Sequence, residues 1–153
     1  MNPIFKKLNF KDQPVIFVLN APASFEANLE QMRPLTELRT SLAKVKDAAF
    51  ALTFATKQKE VDAFADQVAK STASDAVIWI AYPKGTSKNL KCEFNRDNGW
   101  ARMGTHGFEP VRMISIDEDW TALRFRRVTH IKKMTRSFAI TAEGQRKVQK
   151  SNQ

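Results

Sequence analysis

Asp75-Ala-Val-Ile-Trp-Ile-Ala-Tyr-Pro-Lys-Gly-Thr-Ser-Lys88 is the stretch on which the fold turns. It is almost wholly apolar up to Tyr82, then stops abruptly at proline, glycine, two small hydroxyls and two lysines. An uninterrupted apolar run of strand length fits a strand covered on both faces, the ordinary condition of a parallel strand in an α/β sheet. Ligands of open α/β sheets gather beyond the carboxyl ends of the strands, so the turn from Tyr82 to Lys88 is where a site is expected.

Two further runs share the pattern: Pro14-Val-Ile-Phe-Val-Leu-Asn20 and Ala48-Ala-Phe-Ala-Leu-Thr-Phe-Ala55. Between them Ala21-Pro-Ala-Ser24 reads as a helix entry, with Pro22 near the first helical position, where its missing N–H costs nothing. Phe25, Leu29 and Met32 recur at helical spacing, Pro34 ends that helix, and Leu35 to Leu38 reads as a short strand. Thr56 suits an N-cap, Val61, Phe64, Ala65 and Val68 form an apolar helical stripe, and Ser71 to Ser74 reads as a turn. Strand and helix alternating in this way imply parallel crossovers.

Beyond Lys88, Asn89 to Met103 reads as a helix carrying Leu90, Phe94, Trp100 and Met103, with Gly104 as its stop. Val111 to Ile116 and Ala122 to Val128 are separated only by the turn chemistry of Asp117 to Trp120, a link that demands an antiparallel hairpin. Arg124 and Arg126 fall on one face of the second strand, Leu123 and Phe125 on the other. The expected fold is a three-layer, Rossmann-like α/β domain over residues 1–128. Its mostly parallel sheet ends in a C-terminal antiparallel hairpin, and a basic, partly helical tail follows over 129–153, where Ile131, Met134 and Phe138 share a helical face. The layout is also that of class I methyltransferases, an analogy of architecture that carries no function with it.

With 153 residues and 42% hydrophobic content, one domain can bury about 68–70% of its unfolded surface. No apolar run approaches the roughly 18 residues of a membrane span. The opening Met1-Asn-Pro-Ile-Phe-Lys-Lys7 has neither the apolar stretch nor the cleavage site of a secretory signal. Cys92 is the single cysteine, which excludes an internal disulfide and fits a reducing cytoplasm; it reads as a small packed residue. The formal charge of +9 is unevenly placed, with +8 falling on residues 124–153 and +1 on residues 1–123. Such asymmetry suits attraction to a polyanion or an acidic partner.

Three ordered motifs carry a resemblance. They are Leu19-Asn-Ala-Pro22, then Trp79-Ile-Ala-Tyr-Pro-Lys84 with Ser87-Lys88, then Ile116-Asp-Glu-Asp-Trp-Thr-Ala-Leu-Arg-Phe125. In order and spacing, from about Lys7 to Arg127, the chain resembles a family of small bacterial proteins known only as a domain of unknown function. The resemblance implies no activity and transfers no catalytic residue.

Enzymatic motifs are missing. The turn after the first run, Asn20-Ala-Pro-Ala-Ser24, has no glycine, so neither a dinucleotide fingerprint nor a close-packed nucleotide cofactor is expected. Lys84-Gly-Thr-Ser-Lys88 lacks Walker spacing, yet its hydroxyls, lysines and backbone N–H groups could receive an anion. Asp117, Glu118 and Asp119 read as turn residues paired with Arg124 or Arg126 across the hairpin. His106 and His130 have no partner at zinc spacing, so no metal is expected. Trp79, Trp100 and Trp120 read as core or core-edge residues, Trp120 covering the end of the hairpin; stacking on a base would need exposure beside basic residues, for which only Trp120 could qualify. The leading expectation is a non-catalytic cytoplasmic module, without a cofactor, that binds nucleic acid, a phosphate-bearing ligand or an acidic protein. Its ligand residues would be Asn20, Ser24, Tyr82, Lys84, Thr86, Ser87 and Lys88, and its polyanion strip Arg124, Arg126, Arg127, Lys132, Lys133 and Arg136. The alternative is an enzyme of methyltransferase-like ancestry with a reworked pocket around Asn20, Ser24, Tyr82, Lys84 and Thr86. Monomer and homodimer both stay open.

Overall fold

The three apolar runs lie side by side at the centre of a six-stranded sheet whose strands follow one another in space as Glu37–Arg39, Val15–Leu19, Ala48–Phe54, Thr72–Pro83, Trp120–Arg127 and Phe108–Ser115. The computed structural model describes residues 1–131; Lys132, Lys133, Met134, Arg136 and Phe138 of the expected helical tail lie outside the described residues. The strands are β1 (Val15–Leu19), β2 (Glu37–Arg39), β3 (Ala48–Phe54), β4 (Thr72–Pro83), β5 (Phe108–Ser115) and β6 (Trp120–Arg127). β1 is parallel to β2 and to β3, and β3 to β4, with Phe17 opposite Ala51 and Leu52 opposite Trp79. β6 runs antiparallel to both β4 and β5. A sheet with helices on both faces explains why β3 and the second half of β4 read as continuous apolar runs: neither face meets water.

One face is packed by α1 (Pro3–Lys7) and α2 (Glu26–Met32), which with their capping residues Leu8 and Phe25 place Phe5, Leu8, Phe25, Leu29 and Met32 against Phe50, Phe54 and Trp79. The polar lead-in of the sequence is thus partly core. Asn2 starts α1 by accepting from the Ile4 and Phe5 N–H groups at 2.9 and 3.0 Å, and donates to Gln31 on α2 at 2.7 Å. The Trp79 indole donates to the Leu8 carbonyl at 2.8 Å, so the only polar atom of a fully buried tryptophan is satisfied by this lead-in.

The other face is packed by α3 (Gln58–Ser71) and α4 (Ala101–Thr105). The expected stripe of Val61, Phe64, Ala65 and Val68 is buried there. Lys57, not Thr56, precedes the helix, and Glu60 folds back to accept from the N–H groups of both residues at 3.0 Å each. The turn expected at Ser71 to Ser74 does not form: Ser71 ends α3 and Thr72 already starts β4. Nor is residues 89–103 one helix. Residues 84–100 form a long connection without regular structure, followed by the five residues of α4. The stop is Gly107, at φ +84°, rather than Gly104. No helix joins β2 to β3; residues 40–47 cross directly and Leu42 fills the space beside α3.

Candidate functional site

Two clefts open at the carboxyl edge of the parallel strands. The larger, about 1040 Å³, lies between residues 84–98 and the ends of β4, β5 and β6. Tyr82, Lys84 and Thr86 line it, together with Lys91, Cys92, Phe94, Arg96 and Met113. The smaller, about 450 Å³, lies between α3 and residues 40–43, where β1 and β3 end; Asn20, Thr53, Lys59 and Glu60 line it. The residues expected to form one site are therefore divided. Asn20 belongs to the smaller cleft, Tyr82 to the larger, and Ser24 is exposed in the single 3-10 turn before α2 and lines neither.

Strand ends place the donors of the larger cleft. Tyr82 is the penultimate residue of β4; its ring packs on Phe94 and Trp100 at centroid distances of 5.7 and 5.4 Å. Burial pushes its hydroxyl up to about 12, so it stays protonated. That hydroxyl donates to the Met113 thioether at 3.6 Å, a weak acceptor that an oxygen would displace. Lys84 follows the strand directly, and its ammonium donates to Ser115 at 2.6 Å. Lys91 and Arg96 stand on the exposed loop, with Glu93 and Asp97 as the acids of the lining. Glu93 is already engaged by the Gln58 N–H at 2.9 Å, and Arg96 meets Asp97 only at 3.8 Å with both side chains mostly exposed.

Ser87 and Lys88 do not line the cleft. Ser87 donates to Asp119 at 2.7 Å and accepts from the Asn89 and Leu90 N–H groups, which ties the loop to the hairpin turn. Asp119 is thus used by the loop, and Asp117 caps its own turn by accepting from the Asp119 and Trp120 N–H groups. The expected pairing of these carboxylates with Arg124 or Arg126 does not occur, because the turn consumes them first. Trp120 is a core residue at the hairpin end, as expected, buried edge-on against Phe54 at 5.1 Å, which leaves it unexposed for stacking on a base.

No family model matches the chain, and no curated protein matches it in sequence. Several solved structures resemble it, among them the following two. A SAM dependent methyltransferase from Aquifex aeolicus superposes with a TM-score of 0.59 at 10% identity, over 82% of this chain and 88% of that one. A Sulfolobus solfataricus protein described as a candidate type 11 methyltransferase gives 0.50 at 7% identity, over 88% and 94%. The likeness is one of fold. This chain is an α/β protein with a methyltransferase-like Rossmann architecture, and the three-motif resemblance to a domain of unknown function rests on the quoted residues alone.

In that architecture the switch of strand order falls between β1 and β3, at the smaller cleft. Asn20 takes the left-handed conformation there, φ +59°, in the place where a glycine would let a ligand reach the backbone. β2 ends at Arg39, which pairs with Glu37, so no acid closes the second strand.

Two arginines at the end of β6 are heavily engaged. Arg126 holds Asp75 through two bonds of 2.9 and 2.8 Å, and this pairing draws the Asp75 carboxyl below its ordinary range. Arg127 donates to the Ala73 and Ser74 carbonyls and lies 4.9 Å over the Phe108 ring. Sequence reading missed one cluster: Asp66 of α3 takes two bonds from Arg102, 3.0 Å each, and one from His106 at 2.7 Å. These residues are 36 and 40 positions apart and no motif joins them. Among the described residues no group of three or more His, Cys, Asp or Glu could hold a metal, and no helix is long and apolar enough to cross a membrane.

Proposed function

We propose that the protein is a non-catalytic module of methyltransferase-like architecture that binds an anionic, phosphate-bearing ligand in the larger cleft. The observation that carries this reading is the pair of donors at the end of β4. Tyr82 spends its hydroxyl on a thioether, and Lys84 brings an ammonium to the same opening. A phosphate oxygen accepts from both better than sulfur or a neutral hydroxyl does. Lys91 and Arg96 add cationic character at the rim, while Phe94 and Met113 supply apolar wall for the rest of the ligand.

Binding is tested by thermal unfolding with a panel of nucleoside and sugar phosphates beside their unphosphorylated parents. A ligand at 100 times its Kd stabilises by about 2.7 kcal/mol, which in a chain of this size raises Tm by roughly 5–10 °C. The phosphate form alone should produce the shift, and Tyr82→Phe and Lys84→Ala should each reduce it. A panel without any phosphate-dependent shift would end the proposal.

A second reading has its own support in the smaller cleft, which stays open at the switch point although Asn20 stands where glycine is usual. There the chain would keep the cofactor dependence in the name of its Aquifex aeolicus neighbour. A shift with S-adenosylmethionine or S-adenosylhomocysteine, and none with the phosphates, would favour methyl transfer.

A further inference from the structure

Arg112 of β5 and Arg124 of β6 stand directly opposite each other. Like charges in that position destabilise a sheet. Arg124 adds a second anomaly, since its Nε is buried and finds no hydrogen-bond partner among the described residues. Strand alternation puts Arg126 on the same face, with its charge already answered by Asp75 at 2.8 Å. Glu109, opposite Arg126 in register, is fully buried and has interactions of its own. Arg112, Arg124 and Arg126 line neither of the two clefts described above. The sequence beyond Ile131 adds six Lys/Arg and a single acid, Glu143.

Asp75 attracts Arg124 as well as Arg126, but it is already held by two bonds from Arg126, and a local rule broken in this way marks a functional surface. We propose that this face of the hairpin receives the phosphodiester backbone of a nucleic acid, with Arg112 and Arg124 gripping one phosphate between them. A polyanionic strand fits better than a small ion. Arg112 is exposed and the pair lines neither cleft described above, so a lone oxyanion would remain in water, whereas a polyanionic strand draws on the +8 formal charge that the sequence carries over residues 124–153. The inference stands independently of the cleft and its ligand.

Fluorescence anisotropy of the full chain with a labelled 20-nucleotide oligo(dT), over a salt series, tests it. Arg124→Met and Arg112→Ala should each weaken binding about tenfold and lower the salt slope by roughly 0.7. Lys70→Ala removes one cation from exposed α3 and should leave affinity within about twofold. Arg124→Met should also raise Tm, by about 2–4 °C, because it removes an unpaired buried donor. Weaker binding with a higher Tm cannot come from misfolding. The inference is overturned by no binding at low salt, by wild-type affinity in both arginine variants, by a lower Tm in Arg124→Met, or by polyglutamate binding as tightly as the oligonucleotide.

Discussion

Replacing Gly99 with alanine tests whether the loop over the larger cleft is seated as described. Gly99 has φ +92°, and a Cβ there would stand 2.7 Å from Phe94 Cβ and 2.9 Å from Gln58 Oε1. Neither neighbour can retreat freely. Phe94 is packed between Tyr82 and Trp100, and the Gln58 amide donates to the Gly99 carbonyl at 2.8 Å and to Asp62 at 3.0 Å. A left-handed conformation costs a residue with a Cβ about 1–2 kcal/mol, and overpacking adds about 1–3 kcal/mol. The sum, near 3 kcal/mol, lowers Tm by roughly 6–12 °C in a chain of this length.

Two other glycines calibrate the measurement. Gly107 has φ +84° but open space where its Cβ would go, so Gly107→Ala should show the backbone cost alone, about 1–2 kcal/mol. Gly85 has neither a left-handed backbone nor a neighbour within 4 Å, so Gly85→Ala should be neutral or slightly stabilising. Urea unfolding of the three variants should rank them Gly99, Gly107, Gly85 in order of loss. Should Gly99→Ala cost no more than Gly107→Ala, Phe94 and Gln58 do not meet the loop where described, and the cleft wall is misplaced.

Two titrations follow from the same contacts. Tyr82 is the single tyrosine, and its raised value near 12 against an ordinary 10.0 means that the unfolded chain ionises first. Stability should be complete below pH 10 and fall as pH rises beyond it; Tyr82→Phe should flatten that alkaline loss in urea midpoints, and an unchanged slope would refute the burial argument. Asp66 behaves in the opposite sense: Arg102 and His106 hold its carboxyl well below its ordinary 3.8, so its contribution is present above pH 3.8 and lost as pH falls. The stability gap between wild type and Asp66→Asn should therefore narrow between pH 5 and pH 2, and a constant gap would show that the clasp does nothing.

The three central strands were legible because each is buried on both faces, which leaves a continuous apolar signature that no local chemistry contradicts. Residues 89–103 misled for an instructive reason. Leu90, Phe94, Trp100 and Met103 look like one helical stripe, but Asn95 and Asn98 use their side chains to bond the Asp97 and Asn95 N–H groups, a competition that ends helices. The aromatic spacing instead serves a cluster of Tyr82, Phe94, Trp100 and Phe125. Helix α1 was hidden because it has only five residues, Pro3 to Lys7, with Ile4 and Phe5 as its sole apolar pair before two lysines, and its start depends on Asn2 capping the Ile4 and Phe5 N–H groups while reaching α2. Tyr82, Lys84 and Thr86 were placed at one opening by strand-end reasoning alone; Asn20 was grouped with them because sequence cannot tell which strand ends are neighbours.

What separates the two clefts is the crowding at each strand end. At β1 the left-handed Asn20 retains a side chain over the backbone, and the helix-free crossing of residues 40–47 brings Leu42 down beside α3. At β4 the chain instead leaves the sheet for residues 84–100, held at a distance by Ser87 on Asp119 and by Gln58 on Gly99. The larger opening therefore lies two strands, about 10 Å, from the switch point. A ligand that needs close backbone approach meets Asn20 first, whereas one that needs a cation and a neutral hydroxyl meets Lys84 and Tyr82. Asn20→Gly separates these demands: it should leave phosphate-dependent stabilisation unchanged. A gain of that stabilisation in Asn20→Gly would move the anion site back to β1 and refute its assignment to β4.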